Sequence, residues 1–356
     1  MALTLTETLI QGGLIKHLEM PKYFYQMLFK AQFFSKTDTI VYDEVYEDNR
    51  AMARFVAPNV VSATNQNKPF QAKAFRPAYL KEKHVIHPYD PSLQARAAGE
   101  DIGGTLSIEQ REQLIRAKII RDQAMMIENR IEWMCFQALA AGSLHIKSAM
   151  YPDTTVDYGR NSDLQLTTAG TGLSWGNTNN NPLMLVQEIS DRVYDKGRGE
   201  VDTLIVGRTA AQNFRRWFEH KDRAFLLDNN FRGSDLKTNI MNAGEVRGVG
   251  LIGTFTATNG TRIEVWSDNR AYQDTDGTFK RYLGDNEVIG FDSNAFMGVQ
   301  AFGAIKNGEA RYQPMRVFHS EYTSQEPRDV YLLSESAPLP IVLNPDVTCR
   351  VLNANS

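Results

Sequence analysis

Three glycines in the second half of the chain have the spacing of a nucleotide-binding loop. Gly248, Gly250 and Gly253 match G-x-G-x-x-G, in which a strand leads into a helix whose N-terminus holds a pyrophosphate. The residues that follow, 254–258, are instead β-branched and aromatic with a period of two, and an Asn-Gly pair at 259–260 precedes a second such run. Asn-Gly between two alternating runs predicts a β-hairpin. We therefore expect no cofactor at these glycines.

A second motif, G-x-S-x-G at residues 172–176, has the spacing of a hydrolase nucleophile elbow centred on Ser174. An elbow needs a strand directly before the serine and a helix directly after it, which strain the serine and supply oxyanion donors. Here the preceding run LTTAGT and the following run NTNNN both predict loop. A serine hydrolase using Ser174 is kept as an alternative of a different class, and no catalytic residue is expected.

Two further patterns could bind metal. His84 and His87 lie in a proline-rich extended segment, where H-x-x-H spacing places the two rings on opposite faces of a strand. The run DTDG, residues 274–277, begins like a calcium loop but has Phe279 where the glycine at the sixth position belongs. It predicts a hairpin turn, and no metal site is expected.

Charged clusters are read as surface. Four carboxylates lie in an extended segment, where they should either face solvent or form ion pairs with Arg and Lys side chains of a neighbour. Four cations lie close together in the sequence and should form a surface of salt bridges. The carboxylates are Asp43, Glu44, Glu47 and Asp48, and the cations are Arg215, Arg216, Lys221 and Arg223.

Bulk properties narrow the classes of function. The 356 residues suffice for two or three domains, or for one domain with long extensions. A net charge of -3 and a pI near 6.1 argue against general affinity for nucleic acid. Cys135 and Cys349 stand in apolar surroundings without metal-ligand spacing, which predicts buried thiols in a reducing compartment. The N-terminus has no basic region typical of a secretory signal. The sequence also contains no run of about 18 apolar residues, so no membrane-spanning helix is predicted.

The elements predicted along the chain form an α+β protein. Aromatic residues at 23–34 predict a docking arm that packs on its own domain or on a neighbour. Prolines in 58–91 exclude a long helix and favour a two-legged β-arm with its tip near residues 65–68. Ser107 with Gln110 forms a capping box, and Gly142 suits the C′ position, so one helix is expected over 108–141. Its length would be about 50 Å at about 1.5 Å per residue.

The faces of the long helix and the elements that follow it can be assigned to individual residues. Ile127 and Met126 are among the apolar residues assigned to a broad stripe of the long helix, while Glu128 and Glu132 are assigned to its other faces. A second helix should begin with Pro182 at its first position and stop at Gly197. A buried strand VDTLIVG, a helix TAAQNFRRWFEH and C-terminal strands complete the prediction.

Several segments, in this order, resemble one known family. They are FYQMLFKAQFFSKTDTIVYDEV, FRPAYLKEKHVIHP, VDYGR, VDTLIVGRTAAQNFRRWF and SAPLPIVLNPD, and they span nearly the whole chain. By these segments the chain resembles the major capsid proteins of tailed bacteriophages, and most closely the phage lambda head protein group. The resemblance implies an HK97-like fold, named after phage Hong Kong 97.

The resemblance also implies a division of the chain. Residues 1–37 would be the N-terminal arm, 38–95 the E-loop, and 96–181 the peripheral domain with the spine helix 108–141. Residues 182–311 would be the axial domain, and 312–356 would return to the peripheral domain.

The implied function is a shell that assembles from hexamers and pentamers of this chain around double-stranded DNA. Its implied partners are copies of itself, a separate scaffolding protein, a portal protein and a decoration protein, with assembly in the host bacterial cytoplasm. An encapsulin-like compartment is kept as the alternative within the same structural class.

Some relatives weld subunits by an isopeptide bond between an E-loop lysine and an asparagine. This chain offers Lys68, Lys73 and Asn344. Such a lysine must be neutral in an apolar pocket, whereas Lys68 stands in the polar run NQNKP and should stay charged. We therefore expect no covalent bond between subunits.

Overall fold

The computed structural model describes ten stretches of the chain, and every structural statement below concerns them. They are residues 21–37, 39–43, 72–87, 108–148, 150–169, 171–176, 180–218, 246–257, 260–325 and 329–355.

The described α-helices include one that is far longer than the rest, the spine helix α2, which spans the predicted residues. Gly142 follows it with φ +64°, the left-handed conformation that favours glycine, and its N–H bonds to the carbonyl of Ala138. The helices are α1 (Phe24–Leu28), α2 (Ile108–Ala141), α3 (Pro182–Gly197) and α4 (Arg208–Phe218).

Both ends of α3 are as predicted, since the helix begins at Pro182 and ends at Gly197. The Asn181 side chain accepts the Leu183 N–H, and Pro182 occupies the first turn, where its missing N–H costs nothing. The helix includes Gly197, and the left-handed residue is Arg198, at φ 60°. A Cβ on Gly197 would lie 2.0 Å from the Asp346 carbonyl oxygen, so the glycine at the end of the helix also permits close packing.

Eighteen strands in the described residues form the remaining scaffold. They are β1 (Ala31–Phe34), β2 (Ile40–Asp43), β3 (Ala72–Phe75), β4 (Leu80–Ile86), β5 (Ser143–Ser148), β6 (Tyr151–Asp157), β7 (Gln165–Leu166), β8 (Thr203–Val206), β9 (Val249–Thr256), β10 (Arg262–Asp268), β11 (Ala271–Gln273), β12 (Phe279–Arg281), β13 (Val288–Phe291), β14 (Gly298–Phe302), β15 (Phe318–Thr323), β16 (Val330–Ser336), β17 (Pro338–Val342) and β18 (Thr348–Val351).

The largest described sheet has six strands in the order β7-β18-β13-β8-β10-β9. Strand β8 reads TLIV and is buried along its whole length, because it lies in the middle of the sheet. The apolar faces of α3 and α4 pack into the same core, through residues such as Ile189 and Phe214. This sheet takes strands from 165–166 and 348–351 as well as from the segment between them.

Two three-stranded sheets lie beside the spine helix. Their strand orders are β1-β14-β17 and β15-β16-β4. The spine helix packs on β16 and β17 and on α1, which closes the main apolar core around Phe24, Tyr25 and Phe29. The aromatic segment that follows Pro21 therefore packs on its own chain, which decides between the two alternatives left open by the sequence for residues 24–29.

The predicted arm is described only at its base. Strands β2 and β3 pair antiparallel, with Ile40 opposite Phe75 and Asp43 opposite Ala72. The expected tip near residues 65–68 lies outside the described residues.

Two details of the spine helix differ from the sequence prediction. Met126 is 54% exposed, although the apolar stripe was expected to include it. Glu128 and Glu132 are buried, although they were assigned to outer faces. The helix is covered on more than one side, so polar side chains on it are buried wherever a partner reaches them. Among the described residues no helix is both long and apolar enough to span a membrane.

Candidate functional site

The glycine motif lies in a hairpin, as predicted. Gly248 has φ +86° and immediately precedes β9, which pairs antiparallel with β10. A Cβ on Gly248 would lie 2.9 Å from Cγ of Arg270, so this position needs glycine for both conformation and space. The residues after Gly253 continue the strand to Thr256, and no helix opens there to hold a pyrophosphate.

The nucleophile motif lies in turns and loop. Residues 171–176 contain neither strand nor helix, so Ser174 lacks the strained strand-to-helix geometry of an elbow. Its Oγ accepts the Gly176 N–H at 3.1 Å, and the neighbouring Trp175 N–H donates to the Ala354 carbonyl. Ser174 therefore helps to hold a turn against the C-terminal segment.

The two patterns considered for metal binding make contacts within the protein. His87 Nδ1 lies 2.9 Å from Oδ1 of Asp329, and His84 is exposed on β4, so the two rings do not converge. Residues 274–277 form the turn between β11 and β12, where Lys280 bonds to Asp274 at 2.6 Å. Among the described residues no group of three or more His, Cys, Asp or Glu side chains could hold a metal ion.

The most elaborate polar arrangement surrounds Glu132, at the junction of α1, the spine helix and the residues after β10. One Glu132 oxygen accepts the Tyr25 N–H and the other the Gln26 N–H, each at 2.9 Å. Arg270 Nη1 donates to Oε1 of Glu132 at 2.6 Å. Glu132 thus satisfies two backbone donors at the start of α1, which no side chain of the cap residue satisfies.

Arg270 links this carboxylate to the six-stranded sheet. Its Nε and Nη2 donate to the two oxygens of Asp268, each at 3.0 Å, and the Tyr25 hydroxyl donates to Asp268 Oδ2 at 2.7 Å. The guanidinium also lies 4.9 Å from the ring centres of Tyr25 and Tyr282. Three separate parts of the chain are therefore joined at one buried cation.

A second ion pair lies one helical turn away. Arg316 donates to both oxygens of Glu128, at 2.5 and 2.7 Å, and to Oε1 of Gln300 at 2.8 Å and of Gln26 at 2.7 Å. Gln300 Nε2 donates in turn to the backbone carbonyls of Gln26 and Phe29. We call the residues of these three ion pairs and their amide partners the ionic network: Gln26, Glu128, Glu132, Asp268, Arg270, Gln300 and Arg316.

The electrostatics of the ionic network fit a structural role. Burial raises the pKa of the Glu132 carboxyl, and Arg270 and the Tyr25 N–H oppose that rise. Burial by itself would lower the pKa of Arg270, but the Glu132 and Asp268 carboxylates outweigh it and raise that pKa. Each carboxylate of the network is paired with a guanidinium and meets hydrogen-bond donors of the protein, which is the arrangement of a structural ion-pair cluster.

A neutral histidine stands in another buried polar group. His319 Nδ1 lies 2.7 Å from the Ser334 hydroxyl, which donates to Oε1 of Gln123 on the spine helix at 2.7 Å. Burial lowers the pKa of His319 to about 4. The imidazole is therefore uncharged at neutral pH and joins β15 to β16 and the spine helix.

The asparagine considered for covalent bonding is already engaged. Asn344 Oδ1 accepts the Met297 N–H at 2.8 Å, and its Nδ2 donates to the Ala295 carbonyl. Lys73 lies on β3 opposite Tyr42, and Lys68 is outside the described residues. Within the described residues these side chains do not form a lysine–asparagine site.

The described surface carries an exposed edge strand. Strand β1 is at the edge of its sheet, parallel to β14, and all four of its residues are exposed. Phe33 and Phe34 are 48% and 45% exposed. Aromatic side chains on an exposed edge strand of a described sheet are typical of surfaces that bind another chain.

Sequence reasoning missed the ionic network. The available signal was the spacing of Glu128 and Glu132, four residues apart, next to Ile127 and Ile131, which are buried. That spacing places both carboxylates on one face beside the apolar stripe. Their partners, Arg270 and Arg316, lie more than a hundred residues away in sequence, and no local pattern indicates them.

Comparison with known proteins decides among the functions considered. The sequence profile of the phage major capsid protein E family matches residues 13–353. The chain belongs to this family. The major capsid protein of Enterobacteria phage phi80 is 23% identical over 340 residues, which cover 93% of this chain and 95% of that protein.

One solved structure shows the fold of this capsid protein. A crystal structure provisionally named as the capsid protein of a prophage of E. coli CFT073 aligns with a TM-score of 0.70 and 18% identity, covering 99% of this chain and 100% of that one. The holo-SrpI encapsulin of Synechococcus elongatus PCC 7942 aligns with a TM-score of 0.46 and 10% identity, over 100% of this chain and 97% of that one. The predicted HK97-like fold is confirmed.

The family match also confirms the function predicted from the resemblance. The protein is a phage major capsid protein, a structural component of the virion shell, and it associates with copies of itself. The phage capsid interpretation is better supported than the encapsulin alternative, because both the family profile and the phi80 relative are phage capsid proteins.

Proposed function

We propose that this capsid protein assembles as hexamers and pentamers into a closed icosahedral head around double-stranded DNA, and that it has no catalytic activity. The observation that carries the proposal is β1, an exposed edge strand with two half-exposed phenylalanines. A protomer that stayed alone in water would leave this strand open to aggregation, whereas a neighbouring subunit would cover it.

The proposed domains are the ones that the resemblance to phage capsid proteins implies. Residues 1–37 serve as the N-terminal arm, 38–95 as the E-loop, 96–181 as the peripheral domain, 182–311 as the axial domain, and 312–356 as its return segment. The paired bases of β2 and β3 support an arm that leaves the core as two antiparallel legs. The ionic network supports a rigid connection between the spine helix and the sheet of the axial domain.

The proposed partners are a separate scaffolding protein, a portal protein and a decoration protein, with assembly in the host bacterial cytoplasm. A mildly acidic protein suits the inside of a DNA container, because a strongly basic surface would bind DNA tightly.

Electron microscopy and sedimentation of the protein expressed with the scaffolding gene of its phage test the proposal. We expect closed shells that sediment far faster than a protomer of 40.2 kDa. A homogeneous monomer or dimer with and without scaffold would contradict it.

A further inference from the structure

A basic cavity lies between the residues before α1, the spine helix and the start of β9. Its volume is about 1170 Å³, and four cations contribute to its wall: Lys22, Arg121, Arg247 and Arg270. None of the described lining residues is a carboxylate. Arg270 is neutralised from behind by Glu132 and Asp268. Among the described lining residues, Arg121 and Arg247 therefore give the wall positive charge in a protein whose net charge is negative.

Two buried donors in the same wall need acceptors. Arg121 Nε and the Tyr23 hydroxyl are both inaccessible to solvent, and neither has a hydrogen-bond partner. A buried donor left unpaired costs about 1–3 kcal/mol, so an acceptor that reached these two side chains would be favoured. Guanidinium, ammonium and phenol donors together fit oxyanions, either carboxylates or phosphates.

The recessed shape favours carboxylates on a peptide over a DNA duplex. A duplex is stiff over about 150 base pairs and carries its phosphates on the outside of a rod, so cations that project from a surface suit it better than cations inside a cavity. Glutamate and aspartate side chains on an extended segment can enter a recess one at a time.

The chain itself contains a segment of this chemistry. The run DEVYED, residues 43–48, has four carboxylates and no cation, and it starts at the last residue of β2. We propose that the basic cavity is a subunit contact site that takes the acidic run of a second copy of this chain. The proposal rests on the proposed function, since it requires copies to meet in a shell. Paired charges of this kind determine which surfaces meet and how fast.

A charge-swap experiment tests the contact. The cavity variant is Arg121→Glu with Arg247→Glu, and the run variant is Glu44→Lys with Glu47→Lys. Each alone should assemble roughly tenfold less than wild type, because like charges then face each other. An equal mixture should recover assembly, because the acidic cavity of one variant then meets the basic run of the other, and the basic cavity meets the acidic run. Lys118→Glu, at an exposed position of the spine helix, is the control and should assemble normally.

The outcomes separate the alternatives. No recovery in the mixture, while wild type assembles, would overturn the contact and leave the proposed function intact. Recovery only when all four substitutions share one chain would place the contact within a protomer, which also overturns it. Failure of wild type to assemble would count against the proposed function itself.

Two further measurements exclude misfolding and DNA binding as explanations of the result. Circular dichroism checks that the cavity variant folds, and Lys22→Glu with Arg247→Glu replaces it if Arg121→Glu does not. A 20-base-pair DNA duplex, added to unassembled protein, should bind wild type and the cavity variant equally weakly. Binding lost in the cavity variant, together with normal assembly of the run variant, would assign the cavity to phosphate instead.

Discussion

Glu132 of the spine helix and Arg270 after β10 form a buried ion pair, with Nη1 2.6 Å from Oε1, across 138 residues of sequence. The side chain of Glu132 has no exposure and that of Arg270 only 11%. The pair joins the start of α1, the middle of the spine helix and the end of β10 in the six-stranded sheet.

Removing the charge of Glu132 should strongly destabilise the protomer. Glu132→Gln leaves Arg270 with one carboxylate instead of two, and breaking a buried pair typically costs about 3–5 kcal/mol. We expect a loss of about 3 kcal/mol in the free energy of unfolding, measured by urea titration of unassembled protein. The matched control is Glu188→Gln, which breaks an exposed pair with Arg192 and should cost about 0.3–0.5 kcal/mol. Equal losses in both variants would show that the ionic network contributes no special stability.

Protonation of His319 should lower the free energy of unfolding at acid pH. Its pKa is about 4 in the folded protein and 6.5 as a free side chain, so the unfolded chain binds the proton first. Protonation therefore favours unfolding as the pH falls from 6.5 towards 4, and the contribution is fully present above 6.5. His319→Asn retains a hydrogen-bonding side chain and removes the titration. The variant should lose less stability than wild type across that window in urea titrations at fixed pH; parallel curves would contradict the assignment.

Truncating the exposed edge strand should affect assembly more than folding. Phe33 is 48% exposed, so Phe33→Ala should change the free energy of unfolding by about 1 kcal/mol or less. Phe29, four residues earlier, is 1% exposed, and Phe29→Ala should cost about 3–5 kcal/mol. Sedimentation should show fewer shells for Phe33→Ala despite its normal melting curve. Shells in wild-type yield from Phe33→Ala would mean that β1 is not a subunit contact.

Mature shells should contain no covalent bond between subunits. Both ends of the Asn344 amide are used within the protomer, so its carbon is not presented to a neighbour's lysine. Shells boiled in detergent should therefore run as one band near 40.2 kDa on a denaturing gel. A ladder that disappears with Lys68→Ala or Lys73→Ala would refute this and reveal an enzyme that acts on itself.

Local patterns in the sequence were sufficient to predict several helices and strands. The helix over 108–141, the hairpin of β9 and β10, and the Pro182 helix start are all confirmed, because capping, side-chain period and turn propensity act over a few residues. The order of the family-like segments also predicted the fold and the capsid function before any contact was known.

Tertiary structure decided what those elements bury. Glu128 and Glu132 look like surface residues in the sequence, and they become buried only because Arg316 and Arg270 arrive from distant segments. Met126 shows the reverse, since an apolar residue stays exposed where nothing packs on it. A charge can leave water only when its partner and its hydrogen bonds are in place, and that condition depends on residues brought together by the whole fold.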